Sequence, residues 1–313
     1  MKSFSEMLAA VKALPKKRVA VANAVDASVL EAVVKADADN VADAVLVGPT
    51  AEIRRVASEK GIDLSVAEMV EAPDELSAAA IAVDLVRTSR CDILMKGYIH
   101  TDDLLRAVLD RDKGLRTGAI MSHVFIAEPR GFDRLIFISD GAMNIAPDME
   151  AKAAIMLNAV HVAKVFGVAD PRVAILAALE IVHPKMQATI DASVLETMSM
   201  RHQFDPPAIV DGPFALDNAI NEEAARHKKL SGPVAGRADI LITHDIETGN
   251  ALAKSLVYFA GARLAGILVG AAAPVVLTSR SDSADSKYLS IASAVLMGQA
   301  ERHLKLKVGK VRF

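Results

Sequence analysis

Short apolar runs alternate with Ala-rich amphipathic stretches along most of this chain, and that rhythm limits its fold more than any other feature. Lys17–Ala22, Ala44–Gly48, Asp92–Lys96 and Arg172–Ala178 read as strands. Between the first of them, Asp26 opens a helix to about Ala38, Ala51–Lys60 is a helix ended by Gly61, and Pro73-Asp74 starts a helix to about Thr88. Asp at a helix start accepts an orphan backbone N–H, and Gly at the end takes the left-handed turn that stops it. The strand runs are near-continuous rather than alternating, so both of their faces are buried. Such a βαβα order implies an α/β fold with parallel sheets and helices on both faces.

Residues 119–140 break the rhythm. Ile120–Ala127 and Arg134–Ser139 are strand-like and are separated by Glu128-Pro-Arg-Gly-Phe-Asp133, a hairpin signature that marks a change of sheet or domain. Alternation then resumes. Helices are expected at Asp148–Phe166, Lys185 to about Met200 (in part), Ala215 to about Lys228, Glu247–Phe259 and Asp285 to about Leu304. Strands are expected at Pro207–Val210, Ala238–Thr243 and within Leu264–Thr278. At 313 residues with 52% apolar side chains, the chain can bury about three quarters of its unfolded surface, and cores of this length split in two.

Charge and composition exclude several function classes. A net charge of −3 leaves no basic excess to displace counterions from nucleic acid, and 4% aromatics with no Trp offers few stacking platforms. The single Cys91 cannot form an intrachain disulfide and suits a reducing compartment. The first 20 residues lack an uninterrupted apolar core for a signal peptide. The longest apolar run, Leu264–Leu277, is 14 residues long and interrupted by Pro274, too short for a membrane span. A cytoplasmic protein is expected. G-x-x-x-x-G-K, G-x-G-x-x-G, H-E-x-x-H and G-x-S-x-G are all absent, and the eight His form no pair at metal-ligand spacing on a helix, so no metal site is expected.

In open α/β sheets ligands bind beyond the carboxyl ends of the strands. There the chain carries Lys96-Gly-Tyr-Ile-His-Thr101, Ser139-Asp-Gly-Ala-Met-Asn144, Asp211-Gly-Pro-Phe214, His244-Asp-Ile-Glu-Thr-Gly-Asn250 and Thr278-Ser-Arg-Ser-Asp-Ser283. Hydroxyls, glycines, Asn and cations at one edge suit an anion such as phosphate. Thr278-Ser279-Arg280 is the sharpest of these segments, since it follows the most apolar stretch and precedes a helix. Ser279 or Ser283 could equally cap that helix, with Arg280 solvated. Gly232-Pro-Val-Ala-Gly-Arg237 reads as a tight fixed loop or an ordinary turn, and Arg106, Arg111 and Arg116 as a solvated basic face.

Taken in order, these segments resemble the phosphate acyltransferases, the phosphate acetyltransferase and phosphate butyryltransferase family. The likeness is carried by Leu94-Met-Lys-Gly97, Leu115-Arg-Thr-Gly118, Ser122-His-Val124, Ala142-Met-Asn-Ile-Ala-Pro147 and Asp211-Gly-Pro213. It continues through Leu216-Asp-Asn-Ala219, Gly232–Gly236, Gly249-Asn250, Lys254-Ser255 and Ala273–Arg280, and spans about Lys16 to Leu296. Leu216-Asp-Asn-Ala219 and Thr278-Ser-Arg280 look closer to the butyryl branch.

The resemblance implies reversible transfer of a short acyl group between CoA and phosphate, with CoA a substrate and no tightly bound cofactor. It implies a two-domain fold like the isocitrate/isopropylmalate dehydrogenase group, with a central cleft, usually in a homo-oligomer. The expected split is 1–126 with 280–313, and 127–279. By resemblance Ser279 and Arg280 sit near the thiol and the phosphoryl group, and Arg106 and Arg116 bind anions. Ser122, Asn144, Gly236, Asn250 and Lys254 are further expected substrate contacts. A carboxylate could deprotonate the thiol, but the acidic position of the acetyl branch holds Ser286 here, leaving Asp285 or Asp282 as the base. A hydride-transferring sibling of the same fold and a non-catalytic CoA binder are the competing readings. With Met1 at its start, a stand-alone enzyme is expected rather than a fusion to a hydratase-like domain.

Overall fold

A computed structural model describes residues 1–303 and 309–312. The chain gathers into two compact units, a first of Phe4–Ala119 with Ala265–Lys305 and a second of Met1–Ser3, Ile120–Leu264 and Leu306–Phe313. The first begins α1 (Phe4–Val11), β1 (Lys17–Ala22), α2 (Ala27–Ala38), β2 (Ala42–Gly48), α3 (Thr50–Lys60), β3 (Glu68–Glu71), α4 (Glu75–Arg87), β4 (Ile93–Lys96) and α5 (Thr101–Val108). The second holds β5 (Ser122–Glu128), β6 (Ile136–Ser139), α6 (Met149–Val165), β7 (Arg172–Leu176), α7 (Gln187–Met200), β8 (Phe204–Asp205) and β9 (Ile209–Phe214). It continues with α8 (Leu216–Ile220), α9 (Glu222–His227), β10 (Ile240–Ile242) and α10 (Ile246–Tyr258). The chain returns through β11 (Arg263–Val269), β12 (Val275–Val276) and α11 (Ala284–His303), and then β13 (Lys310–Val311) pairs with β8.

In the first unit the strand order is β3-β2-β1-β4-β12-β11, parallel except for the β11–β12 pair. In the second it is β5-β6-β10-β7-β9, parallel except for the β5–β6 hairpin expected from the sequence. Residues 265–279 lie with the first unit rather than with 127–264, because β12 pairs with β4 in the register Val275↔Leu94. The single helix expected over 215–228 is two, since Asn221 Oδ1 accepts from the amides of Glu223 and Ala224 at 2.9 Å and starts α9 afresh. Leu304, the expected end of the last helix, lies outside the described residues.

Local chemistry explains these elements. Asp26, Asp74, Asp148 and Asp245 each accept the amide three residues on, capping α2, α4, α6 and α10, each cap worth about 1 kcal/mol. Val19, Val21, Leu46, Ile93 and Met95 are at most 1% exposed and form the centre of the first unit, where each such side chain contributes about 1.5–3 kcal/mol on burial. Ile138, Leu176, Phe214 and Leu241 do the same in the second. Among the described residues no helix is long and apolar enough to cross a membrane.

Asp39, which ends α2, ties three helices of the first unit together. It accepts from Lys12 Nζ at 2.8 Å and Tyr288 Oη at 2.6 Å, and these bonds hold its carboxyl down at about 2. A depressed carboxyl stabilises the fold above its unfolded value and loses that contribution as pH falls through the folded one. Acid unfolding of the protein should therefore steepen between pH 3.8 and about 2. Asp39→Asn should flatten that limb in urea titrations across the range; an unchanged limb would assign acid sensitivity elsewhere.

Candidate active site

The first unit reverses direction between β1 and β4. Crossovers between parallel strands are right-handed, so β1-β2-β3 runs one way and α4 carries the chain back past β1 on the other face. Ligands of open α/β sheets bind at such a reversal, beyond the carboxyl ends. Here the chain after β4 is pressed onto the chain after β1. The amides of Gly97 and Tyr98 donate to the carbonyls of Ala22 (2.9 Å) and Asn23 (2.7 Å), and Asn23 Nδ2 donates to the Tyr98 carbonyl at 2.6 Å. A Cβ on residue 97 would meet the Asn23 carbonyl at 2.3 Å, so only glycine fits.

This clamp buries Lys96, which is 2% exposed. The loop after β12 stands beside it. Ser279 N donates to Asp282 Oδ2 at 2.7 Å, and the buried Lys287 Nζ donates to the Asp282 carbonyl at 2.6 Å, so Asp282 folds the Ser279–Ser283 turn. The amide of Ser286 donates to Ser283 Oγ at 3.1 Å, which makes Ser283 rather than Ser279 the cap of α11. The Arg280 guanidinium stands 5.5 Å from the centroid of the Tyr98 ring and donates weakly to His100 Nδ1 at 3.5 Å.

Lys96, Ile99, His100, Thr101, Asp102, Ser279 and Arg280 line one pocket of about 270 Å³. Thr101 and Asp102 begin α5, whose first-turn amides have no partner within the helix. Burial, then the charges of Arg280 and Lys287, push the Lys96 ammonium down to about 8. Burial lowers Lys287 as well. Cations crowded at such an edge favour an anion, which relieves their repulsion and accepts their hydrogen bonds.

The second unit builds its own carboxyl edge. Asp140, just after β6, accepts the amides of Ala142, Met143 and Asn144 and the Asn144 Nδ2 at 2.6 Å, so one carboxylate shapes the whole loop. Asn144 Nδ2 also donates to the Met121 carbonyl at 2.9 Å, and Asn250 Nδ2 to the Gly141 carbonyl at 3.0 Å. After β10, His244 Nδ1 is 2.7 Å from Lys152 Nζ, which is 2.5 Å from Asp191 Oδ2. An ammonium only donates, so His244 Nδ1 is the acceptor in that contact.

Comparison with known proteins agrees with this chemistry. The family model for phosphate acetyl/butaryl transferases matches residues 3–80 and 75–295. The chain belongs to that family. It is 47% identical over 296 residues to phosphate butyryltransferase of Clostridium beijerinckii, covering 95% of this chain and 98% of that one. It is 44% identical over 289 residues to phosphate acetyltransferase of Thermotoga maritima, covering 92% and 98%. Its structure is similar to a branched-chain phosphotransacylase from Enterococcus faecalis, with TM-score 0.79, 35% identity, and 90% and 99% of the two chains covered.

In this phosphate acyltransferase family member, Ser279 and Arg280 line one pocket, while Asp285, Arg106 and Arg116 of the same unit are not among its lining residues. Asp285 is exposed on the first turn of α11 and is not part of the lining. Arg106 is exposed on α5 and paired with Asp103 at 3.2 Å, and Arg116 is exposed with its backbone bridged to Ala271. Lys254 is exposed on α10. Ser122 is fully buried, its Oγ accepting from Asn158 Nδ2 at 2.8 Å. Gly236, at φ +74°, lies where a Cβ would come within 2.5 Å of Glu222 Cα, so it serves close packing of backbone. Lys96 and His244 stood in the strand-end segments without being singled out as site residues, and Lys152 and Asp191 were not read from the sequence. A Lys ending a buried apolar run directly before Gly97, and a Lys inside the apolar helix after Asp148, are the sequence signals of the two lysines.

Proposed function

We propose that this chain transfers a short acyl group, butyryl or acetyl, between CoA and inorganic phosphate, in a ternary complex without a covalent enzyme intermediate. The observation that carries this reading is the single pocket lined by Ser279, Arg280 and the buried Lys96 at the mouth of α5. Family membership adds the reaction class. Phosphate, or the phosphoryl group of the acyl phosphate, lies against Arg280, Ser279 and the first-turn amides of α5. In one direction the CoA thiolate attacks the acyl carbonyl, the C–S bond forms, the C–O bond to the phosphoryl group breaks, and phosphate leaves with the electron pair. Ser279 and Arg280 stabilise the charge on that oxygen, an effect of about 3–4 kcal/mol for one well-placed donor. Binding both substrates at once supplies orientation.

The exposed Arg106, Arg116 and Lys254 are proposed contacts for the phosphates of CoA, and Asn144 and Asn250 hold the loops that shape the second unit's edge. Ser122 and Gly236, expected as substrate contacts, are proposed instead as framework within the second unit, where one is buried and the other packs on backbone. CoA acts as substrate, with no tightly bound cofactor. A homo-oligomer in the cytoplasm, with the isocitrate/isopropylmalate dehydrogenase-like architecture, completes the proposal. The decisive assay incubates the protein with phosphate and acetyl-, propionyl-, butyryl- or isobutyryl-CoA and follows free thiol. Thiol release that requires phosphate, strongest with a four-carbon chain, is the expected outcome. No release with any of the four would overturn the reading in favour of a non-catalytic CoA binder.

A further inference from the structure

We infer that Lys96 is the group that takes the proton from the CoA thiol and passes it to the departing phosphate, a catalytic role that rests on the phosphate acyltransferase reading. The carboxylates near the loop are otherwise placed. Asp282 is bound to the Ser279 amide through Oδ2, and Asp285 is exposed outside the pocket lining. At the position that is acidic in the acetyl branch, Ser286 offers a hydroxyl, 3.3 Å from that of Ser283. Asp102 lines the pocket but is exposed, where water rather than the enclosed thiol surrounds it.

Lys96 has what these groups lack. It is buried, it lines the pocket that holds Ser279 and Arg280, and no carboxylate among the described residues pairs with its amine. The charges acting on it come from the β12–α11 loop (Arg280 and Asp282), from α11 (Lys287) and from α4 (Glu75). The two cations outweigh the acids, and burial adds to them, so the amine is deprotonated far more easily than an exposed lysine. His100 also lines the pocket, but it is exposed with its Nδ1 turned to Arg280.

The step balances without a further reactant. The neutral amine accepts the thiol proton as the S–C bond forms. The C–O bond to phosphorus then breaks toward oxygen, and the Lys96 ammonium gives its proton to that phosphate oxygen, leaving hydrogen phosphate and a neutral amine. In reverse, the amine takes the proton of hydrogen phosphate as it attacks the thioester and returns it to the leaving thiolate. The guanidinium of Arg280 supplies fixed charge beside this mobile proton.

The test is the pH dependence of kcat with butyryl phosphate and CoA, with circular dichroism as a check on folding. The unsubstituted protein should show kcat rising with pH through the range in which a depressed lysine titrates. Lys96→Arg keeps the charge but cannot release a proton, and should lower kcat by about 10²-fold or more while the KM for the acyl phosphate stays close to wild type. Should Lys96→Arg fail to fold, Lys96→Cys alkylated with bromoethylamine restores an amine that is more acidic than lysine. It should recover turnover and move the pH profile to lower pH. Full turnover with an unshifted profile in Lys96→Arg would overturn the inference. So would loss of the alkaline rise in Asp285→Asn, Asp102→Asn or His100→Gln while the Lys96 variants keep it. No turnover in the unsubstituted protein would instead overturn the functional reading itself.

Discussion

Replacing Arg280 by Ala should lower kcat/KM for phosphate-dependent thiol release by about 10²–10³-fold, the usual cost of removing one donor aimed at developing charge. Its effect on stability should be small. Arg280 is exposed on a loop, and its contacts are a long hydrogen bond to His100 and the face of Tyr98. Surface changes of that kind stay within about 0.5 kcal/mol. Arg280→Lys keeps the charge but loses the planar fork, so it should fall between the two. Ser279→Ala should cost less, because Ser279 shares its hydroxyl with Ser281 at 3.0 Å and its amide remains in place to hold the turn. Initial rates and thermal melts on the same preparations make the comparison. Full activity in both Arg280→Ala and Ser279→Ala would remove these residues from the site.

The largest loss of stability should follow Lys152→Met. Lys152 and Asp191 are 2% and 3% exposed and joined at 2.5 Å, with Gln187 Nε2 completing the acid at 2.8 Å. Taking away the ammonium leaves a buried carboxylate with one neutral donor, a change that costs about 3–5 kcal/mol. The double variant Lys152→Met with Asp191→Leu removes both charges and should recover most of that loss, because the expensive feature is the unpaired charge rather than the absence of the pair. Urea denaturation of the single and double variants measures both terms. A single-variant loss under about 1 kcal/mol would mean that water or another donor reaches Asp191. The same cycle frees His244 Nδ1 of its donor, so loss of activity in the well-folded double variant would tie this chain of side chains to the reaction.

Local chemistry, legible from neighbours in the sequence, determined much of this protein. Asp26 and Asp74 cap the helices they were expected to cap, Gly61 ends α3 at φ +66°, and the Pro-Gly break after Glu128 gives the antiparallel β5–β6 hairpin. Each depends on a few adjacent residues, so no distant partner is needed. The order of motifs pointed to the family for a related reason, since chemistry at strand ends is carried by short contiguous loops. The edge strand β3 escaped because Glu68–Glu71 is half-exposed and lacks an apolar run, and its place comes from pairing with β2.

Only the tertiary structure decided which unit residues 265–279 join, because that depends on Val275 meeting Leu94, far away along the chain. It also decided the state of Lys96. A lysine in a list of residues is a solvated cation. The same lysine enclosed by the turn at Gly97, with Arg280 and Lys287 brought beside it, holds its proton less firmly than an exposed lysine does. Desolvation and the summed field of neighbouring charges act through space, and proximity of residues 96, 280 and 287 exists only once the sheet has brought β4 and β12 side by side.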